Sequence, residues 1–140
     1  MTAVQFHLEI VPPDMAADLA ATVKALKAHW IRRHPLAPAF TLGAASYCSG
    51  NDDYLDHARR MNPVLDTHFG ELHQRMHEAI GSALGEPVEH AHDKSLPGFH
   101  IFEPHFLFAI KPGDIHLDTQ YKALDWSRYT EIDFGRTLSF

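Results

Sequence analysis

The sequence predicts an α+β fold in which N-terminal helices pack on one face of a mainly antiparallel sheet. Two segments within the first 86 residues repeat apolar residues at three- and four-residue spacing, the signature of amphipathic helices. From Pro87 onward the texture changes to short β-forming runs separated by proline and glycine turns. A length of 140 residues, with 45% hydrophobic and 21% charged side chains, suits one ordinary globular domain. The expected layout is a single domain over residues 1–140, with a helical support over 1–86 and a β-rich part over 87–140.

The elements follow in order. Val4, Phe6, Leu8 and Ile10 alternate with polar neighbours and predict an opening strand, which Pro12 and Pro13 end. Asp14 suits a helix N-cap, and Met15, Leu19, Val23, Leu26 and Trp30 fall on one stripe, so a first helix is expected to run to about Arg32. His34-Pro35-Leu36-Ala37-Pro38 reads as a connection, and Phe40 to Cys48 as an extended segment. Asn51-Asp52-Asp53 is a turn or cap signal. Asn62-Pro63 is a stronger one, because asparagine caps well and proline suits the first helical position, and a second helix is expected to start there. Its stripe is Leu65, Phe69, Leu72, Met76, Ile80 and Ala83, and Gly85 lies where a left-handed C-terminal cap is wanted. The β-like runs are Phe99 to Phe102, Phe106 to Ile110 and Ile115 to Tyr121, with Arg136 to Phe140 last. No turn or polar tail follows that last run, so the C-terminal sheet is expected to be unfinished.

Composition narrows the function. Twelve Lys and Arg against 18 Asp and Glu give a formal charge of −6, which leaves no large basic surface to neutralise phosphates, so nucleic acid is not an expected partner. The single cysteine, Cys48, cannot form an intramolecular disulfide, and no basic, apolar and cleavage regions open the chain; a reducing cytoplasm is the expected setting. The longest apolar run, Phe106 to Ile110, is far below the ~18 residues of a membrane span.

Histidine is over-represented, with 12 residues, as many as all Lys and Arg together. Imidazole binds transition metals and titrates near neutrality, so metal binding and acid–base chemistry both become candidates. The sharpest is His116-Leu117-Asp118. Alternate residues of a strand share a face, so His116 and Asp118 can reach one ion, and they supply two thirds of a facial triad for non-haem Fe(II). With 12 His and 11 Asp in the sequence, about one such spacing arises by chance, so spacing alone does not make a site.

Other histidines carry competing readings. His7-Leu8-Glu9 has similar spacing and reads as the outward face of the opening strand. His100, between Phe99 and Ile101, reads as a buried structural histidine or a third ligand, and His105 beside Pro104 as a loop residue. His73 and His77 lie four apart on one helix face. They could chelate zinc, but Gln74 stands where a zinc protease needs glutamate, and a solvated face is the simpler reading. His90 and His92 belong to Glu89-His90-Ala91-His92-Asp93, a strand or a loop with weak metal character. Cys48 reads as a small buried thiol. Trp30 and Trp126 read as core anchors, Trp126 with Tyr121 and Tyr129 also suiting a pocket mouth.

The run Leu96-Pro97-Gly98-Phe99-His100-Ile101-Phe102, then Lys111-Pro112-Gly113-Asp114, Ile115-His116-Leu117-Asp118-Thr119-Gln120-Tyr121 and Thr137-Leu138-Ser139-Phe140, resembles the front half of the double-stranded β-helix, or jelly roll, of the iron(II)- and 2-oxoglutarate-dependent dioxygenases. The specific part of the resemblance covers about Pro97 to Phe140. It implies Fe(II) on His116 and Asp118, 2-oxoglutarate as cosubstrate, and hydroxylation of a small molecule. The family's distal histidine and 2-oxoglutarate-binding basic residue have no counterparts, because only 22 residues follow Asp118 and none is histidine. Arg128 and Arg136 lie too early to match the basic residue. The expectation is a truncated form with little or no turnover of its own. A different class of reading is a non-catalytic α+β binding or assembly module that forms a homodimer through an open sheet edge. A third is a zinc or nickel binder using His73, His77, His90 and His92.

Overall fold

The computed structural model describes residues 8–46, 51–109 and 120–135. Helix α1 (Pro13–Ala25) begins with Pro12 at the N-cap and Pro13 in its first turn, where a missing N–H costs nothing. Asp14 is thus a first-turn acid rather than the cap expected from the sequence, favourably placed at the positive end of the helix dipole. The helix also stops earlier than its apolar stripe suggested. A 3₁₀ turn, Lys27–His29, follows it, and Trp30 takes an extended backbone. The Trp30 indole N–H donates to the Val23 carbonyl at 3.0 Å, so the ring caps the helix end while it packs, tilted, against Phe40 at 5.6 Å between centroids.

The chain then forms a hairpin, β1 (Ile31–Arg32) with β2 (Ala39–Leu42), in register Ile31 to Thr41 and Arg32 to Phe40. His34 organises the connection: its Nδ1 accepts the N–H groups of Leu36 and Ala37 at 3.1 and 2.9 Å. Strand β3 (Phe99–Phe102) pairs with the other side of β2, giving an antiparallel sheet of order β1-β2-β3. The α+β class and the antiparallel sheet thus stand, but β1 and β2 lie between the two helices in sequence rather than after them.

Helix α2 (Asn51–Leu84) is 34 residues long and contains Pro63, so the start expected at Asn62-Pro63 is corrected to Asn51. Proline deprives the Arg59 carbonyl of its helical donor, a loss that usually ends a helix. Here Tyr54, Ala58 and Met61 extend the same buried stripe as Leu65, Phe69 and Leu72, and their burial outweighs that loss. Asn62 caps nothing. Its side-chain amide instead donates to the Lys94 carbonyl at 2.8 Å and accepts the Leu96 N–H at 2.9 Å. At the far end Gly85 takes φ +73°, and the N–H groups of Gly85 and Glu86 both reach the Gly81 carbonyl, the left-handed cap that the sequence predicts.

One face of the sheet packs on this helix. Leu42, Leu65 and Phe69 are the largest fully buried side chains, and Phe69 meets Phe99 at 4.6 Å between ring centroids. Val23 and the partly buried Met15 and Leu19 bring α1 to the same core. Residues 86–98 return along α2 without regular structure, tied at Ser95, whose N–H donates to the Tyr54 hydroxyl at 3.0 Å.

Four expected strands differ or fall outside. Leu8 to Ile10 carry no strand, and the rest of the opening run lies outside the described residues. Phe106–Ala109 is a 3₁₀ turn, because Phe108 N–H closes on the His105 carbonyl at 3.0 Å. Gln120–Ala123 is another 3₁₀ turn, while Ile115 to Thr119 and all of Arg136 to Phe140 lie outside the described residues. Among the described residues no helix is long and apolar enough to cross a membrane.

Candidate functional site

His116 and Asp118 lie outside the described residues, as do Cys48 and His7. The other histidines singled out in the sequence are described, and the fold brings three of them together. His73 and His77 are one turn apart on α2, which puts them on one face. The Gly85 cap turns the chain back, and the returning segment lays His90 against that face. Its ring centroid is 4.5 Å from that of His77 and 5.8 Å from that of His73, both edge to face. His73 is buried, 5% exposed, rather than solvated.

The hydrogen bonds fix one tautomer. His73 Nε2 lies 2.9 Å from the Pro97 carbonyl, and a carbonyl can only accept, so Nε2 carries the proton. Nδ1 of the neutral ring is then a bare lone pair, and it is buried without a partner, as are His77 Nε2 and His90 Nε2. Burial first, and then the neighbouring His77 and His73 rings, push the His90 pKa down to about 4. His90 is therefore neutral at pH 7, the form that offers a lone pair. As the rings now lie, no group of three or more His, Cys, Asp or Glu among the described residues is arranged to hold a metal ion.

His92 does not join this group; it is exposed on the turn before Asp93. His100 is exposed rather than buried, and its Nδ1 lies 3.0 Å from the Thr41 hydroxyl across the β2–β3 pair. Strand alternation explains this correction: Phe99 and Ile101 turn to the core, and His100 therefore turns away. His105 lies in the connection after β3, where its Nδ1 accepts the Leu107 N–H at 3.3 Å.

His90 also lines an open cleft of about 730 Å³ between α2 and the returning segment, with Arg59, Asp66, Asp93, Lys94 and Arg128 among its other walls. Lys94 is only 7% exposed, yet its charge is well held. Its ammonium sits 2.9 Å from Asp93 Oδ2, 5.0 Å above Trp126 and 5.6 Å above Tyr129. Tyr129 O–H donates to Asp93 Oδ1 at 2.7 Å, and the Trp126 indole N–H donates to the Tyr121 carbonyl at 2.6 Å. The three aromatic residues thus stand beside the cleft as a support for the lysine–aspartate pair.

The i, i+4 pair His73/His77 was legible in the sequence, and so was the His90 cluster. Their meeting was not, since it depends on where the return from Gly85 places residue 90. Comparison with family models, with curated proteins and with solved structures gave no match.

Proposed function

We propose that the chain carries the metal half-site of an iron(II)- and 2-oxoglutarate-dependent dioxygenase that hydroxylates a small molecule. The observation that carries this reading is the sequence His116-Leu117-Asp118 downstream of the Leu96 to Phe102 run, whose Phe99–Phe102 portion is strand β3. The donor set fits the ion: an imidazole and a carboxylate two residues apart are facial-triad ligands of Fe(II), leaving positions for cosubstrate and oxygen. When bound, the iron supplies the oxidative chemistry. His116 and Asp118 hold it, and the third protein ligand and the cosubstrate's basic partner are not assigned to this chain. Two protein ligands hold iron weakly, so the chain alone has little or no turnover.

The test is anaerobic Fe(II) titration with and without 2-oxoglutarate, beside Asp118→Ala and His116→Ala. Saturable one-to-one binding, tightened by 2-oxoglutarate and lost in both variants, is the expected result. Binding indifferent to both substitutions would sink the reading.

A specific observation favours the second reading, an assembly module that dimerises by strand addition. Among the described residues β3 is paired on one side only, and Phe102 on it is 54% exposed. That reading requires a concentration-dependent dimer in sedimentation that a charged substitution, Phe102→Lys, weakens.

A further inference from the structure

We infer that His73, His77 and His90 form a binding site for a divalent transition metal, with zinc as the fitting ion. This site is separate from His116 and Asp118 and does not rest on the dioxygenase reading.

Three observations converge on it. The first is the donor atoms: one ring nitrogen on each histidine is buried and has no partner. Native structures leave few buried polar atoms unpaired, and an unoccupied ion site is one of the recognised reasons for such a group. The second is the anchoring of His73. Its Nε2–H is held by the Pro97 carbonyl at 2.9 Å, which aims the bare Nδ1 away from that bond. Metal-bound histidines characteristically donate their other N–H in this way, which fixes both the tautomer and the ring orientation.

The third is separation. With a metal–nitrogen bond of about 2.0–2.1 Å, an imidazole centroid lies about 3 Å from the ion, so two rings on one tetrahedral ion stand roughly 5 Å apart. The centroid separations of 4.5 and 5.8 Å bracket that value. As they lie, the three rings do not form a group that could hold a metal ion. They meet edge to face, at interplanar angles of 73° and 85°, and His77 and His90 must turn about their side-chain bonds to converge on an ion. Both are only partly buried, and His90 lines the cleft, which gives an ion a route to the cluster.

Three imidazoles without a thiolate suit zinc, nickel or copper better than magnesium or calcium. Three protein ligands leave a fourth tetrahedral position for water or a ligand.

The experiment is Zn(II) titration against a competing chelator, using the full chain with His116→Ala and Asp118→Ala so that the proposed iron ligands do not contribute. One ion per chain is expected, with Co(II) in its place giving a visible d–d spectrum. His77→Gln and His90→Gln should each weaken binding at least tenfold, while His92→Gln leaves it unchanged. Equal affinity in all of these variants, or several ions per chain lost evenly with the exposed histidines, would overturn the proposal. Should a variant not fold, NMR of the unsubstituted rings decides: zinc must shift the ring signals of His73, His77 and His90 together, and their staying in place refutes the site. A lone proton shared by His77 and His90 would give those two rings a common titration and no zinc response.

Discussion

Asp93 shows how one side chain ties the cleft together. The Tyr129 hydroxyl, first, and the Lys94 ammonium hold its carboxyl below the usual carboxylate range. The folded chain therefore binds fewer protons at Asp93 than the unfolded chain does, and the resulting stability is present above the unfolded pKa and lost as pH falls through the folded one. Urea unfolding midpoints should decline between about pH 5 and pH 2, and Asp93→Asn should make that decline shallower. An unchanged acid limb in the variant would show that the contact contributes nothing. The partners of Asp93 are neighbours in different senses. Lys94 is adjacent in sequence and was open to inspection there, whereas Tyr129 lies 36 positions away and reaches Asp93 only through the fold. His100 gives the complementary lesson. Its apolar neighbours suggested burial, but in a strand adjacent residues face opposite ways, so apolar neighbours put it outside.

The same argument extends to whole elements. Period and caps read correctly where burial agreed with them: the stripe from Leu65 to Leu72 and the Gly85 cap are present as expected. They misled where tertiary contacts overrode a local signal. Asn62-Pro63 has the chemistry of a helix start, yet it lies inside α2 because the residues before it carry the same buried stripe and because the Asn62 amide is spent on Lys94 and Leu96. Leu26 and Trp30 continued the α1 stripe, yet the Trp30 indole closes that helix. Gly98 shows an element boundary set by close backbone approach: a Cβ there would run into the Leu42 carbonyl oxygen, with Gly43 Cα just beyond. Gly98→Ala should therefore push β3 away from β2 and cost about 1–3 kcal/mol, measured by urea unfolding. A neutral substitution would mean that the strands separate freely at that point.

Across the molecule, α2 and the sheet enclose the core, and the segment 120–135 joins it from the outside. All of 130–135 is exposed, and Trp126 and Tyr129 bring the segment against the Asp93–Lys94 pair. Amides there should exchange with solvent faster than those of β2 and of α2 between Leu65 and Leu72, since protection follows buried contacts. Hydrogen exchange read by mass spectrometry checks this, and equal protection would place the segment within the core's cooperative unit. Reading residues in order was enough to establish the α+β class, the antiparallel sheet, both helical stripes, the glycine cap and the His-x-Asp spacing. Each rests on local periodicity, on the handedness of a single residue or on the identity of close neighbours, and that information is carried along the chain. Tertiary structure alone decided that β2 pairs with β1 on one side and β3 on the other, that Pro63 is tolerated, and that His90 meets His73 and His77. Those outcomes depend on which distant segments share one buried surface, and burial is won collectively, by residues whose separation along the chain says nothing of their separation in space.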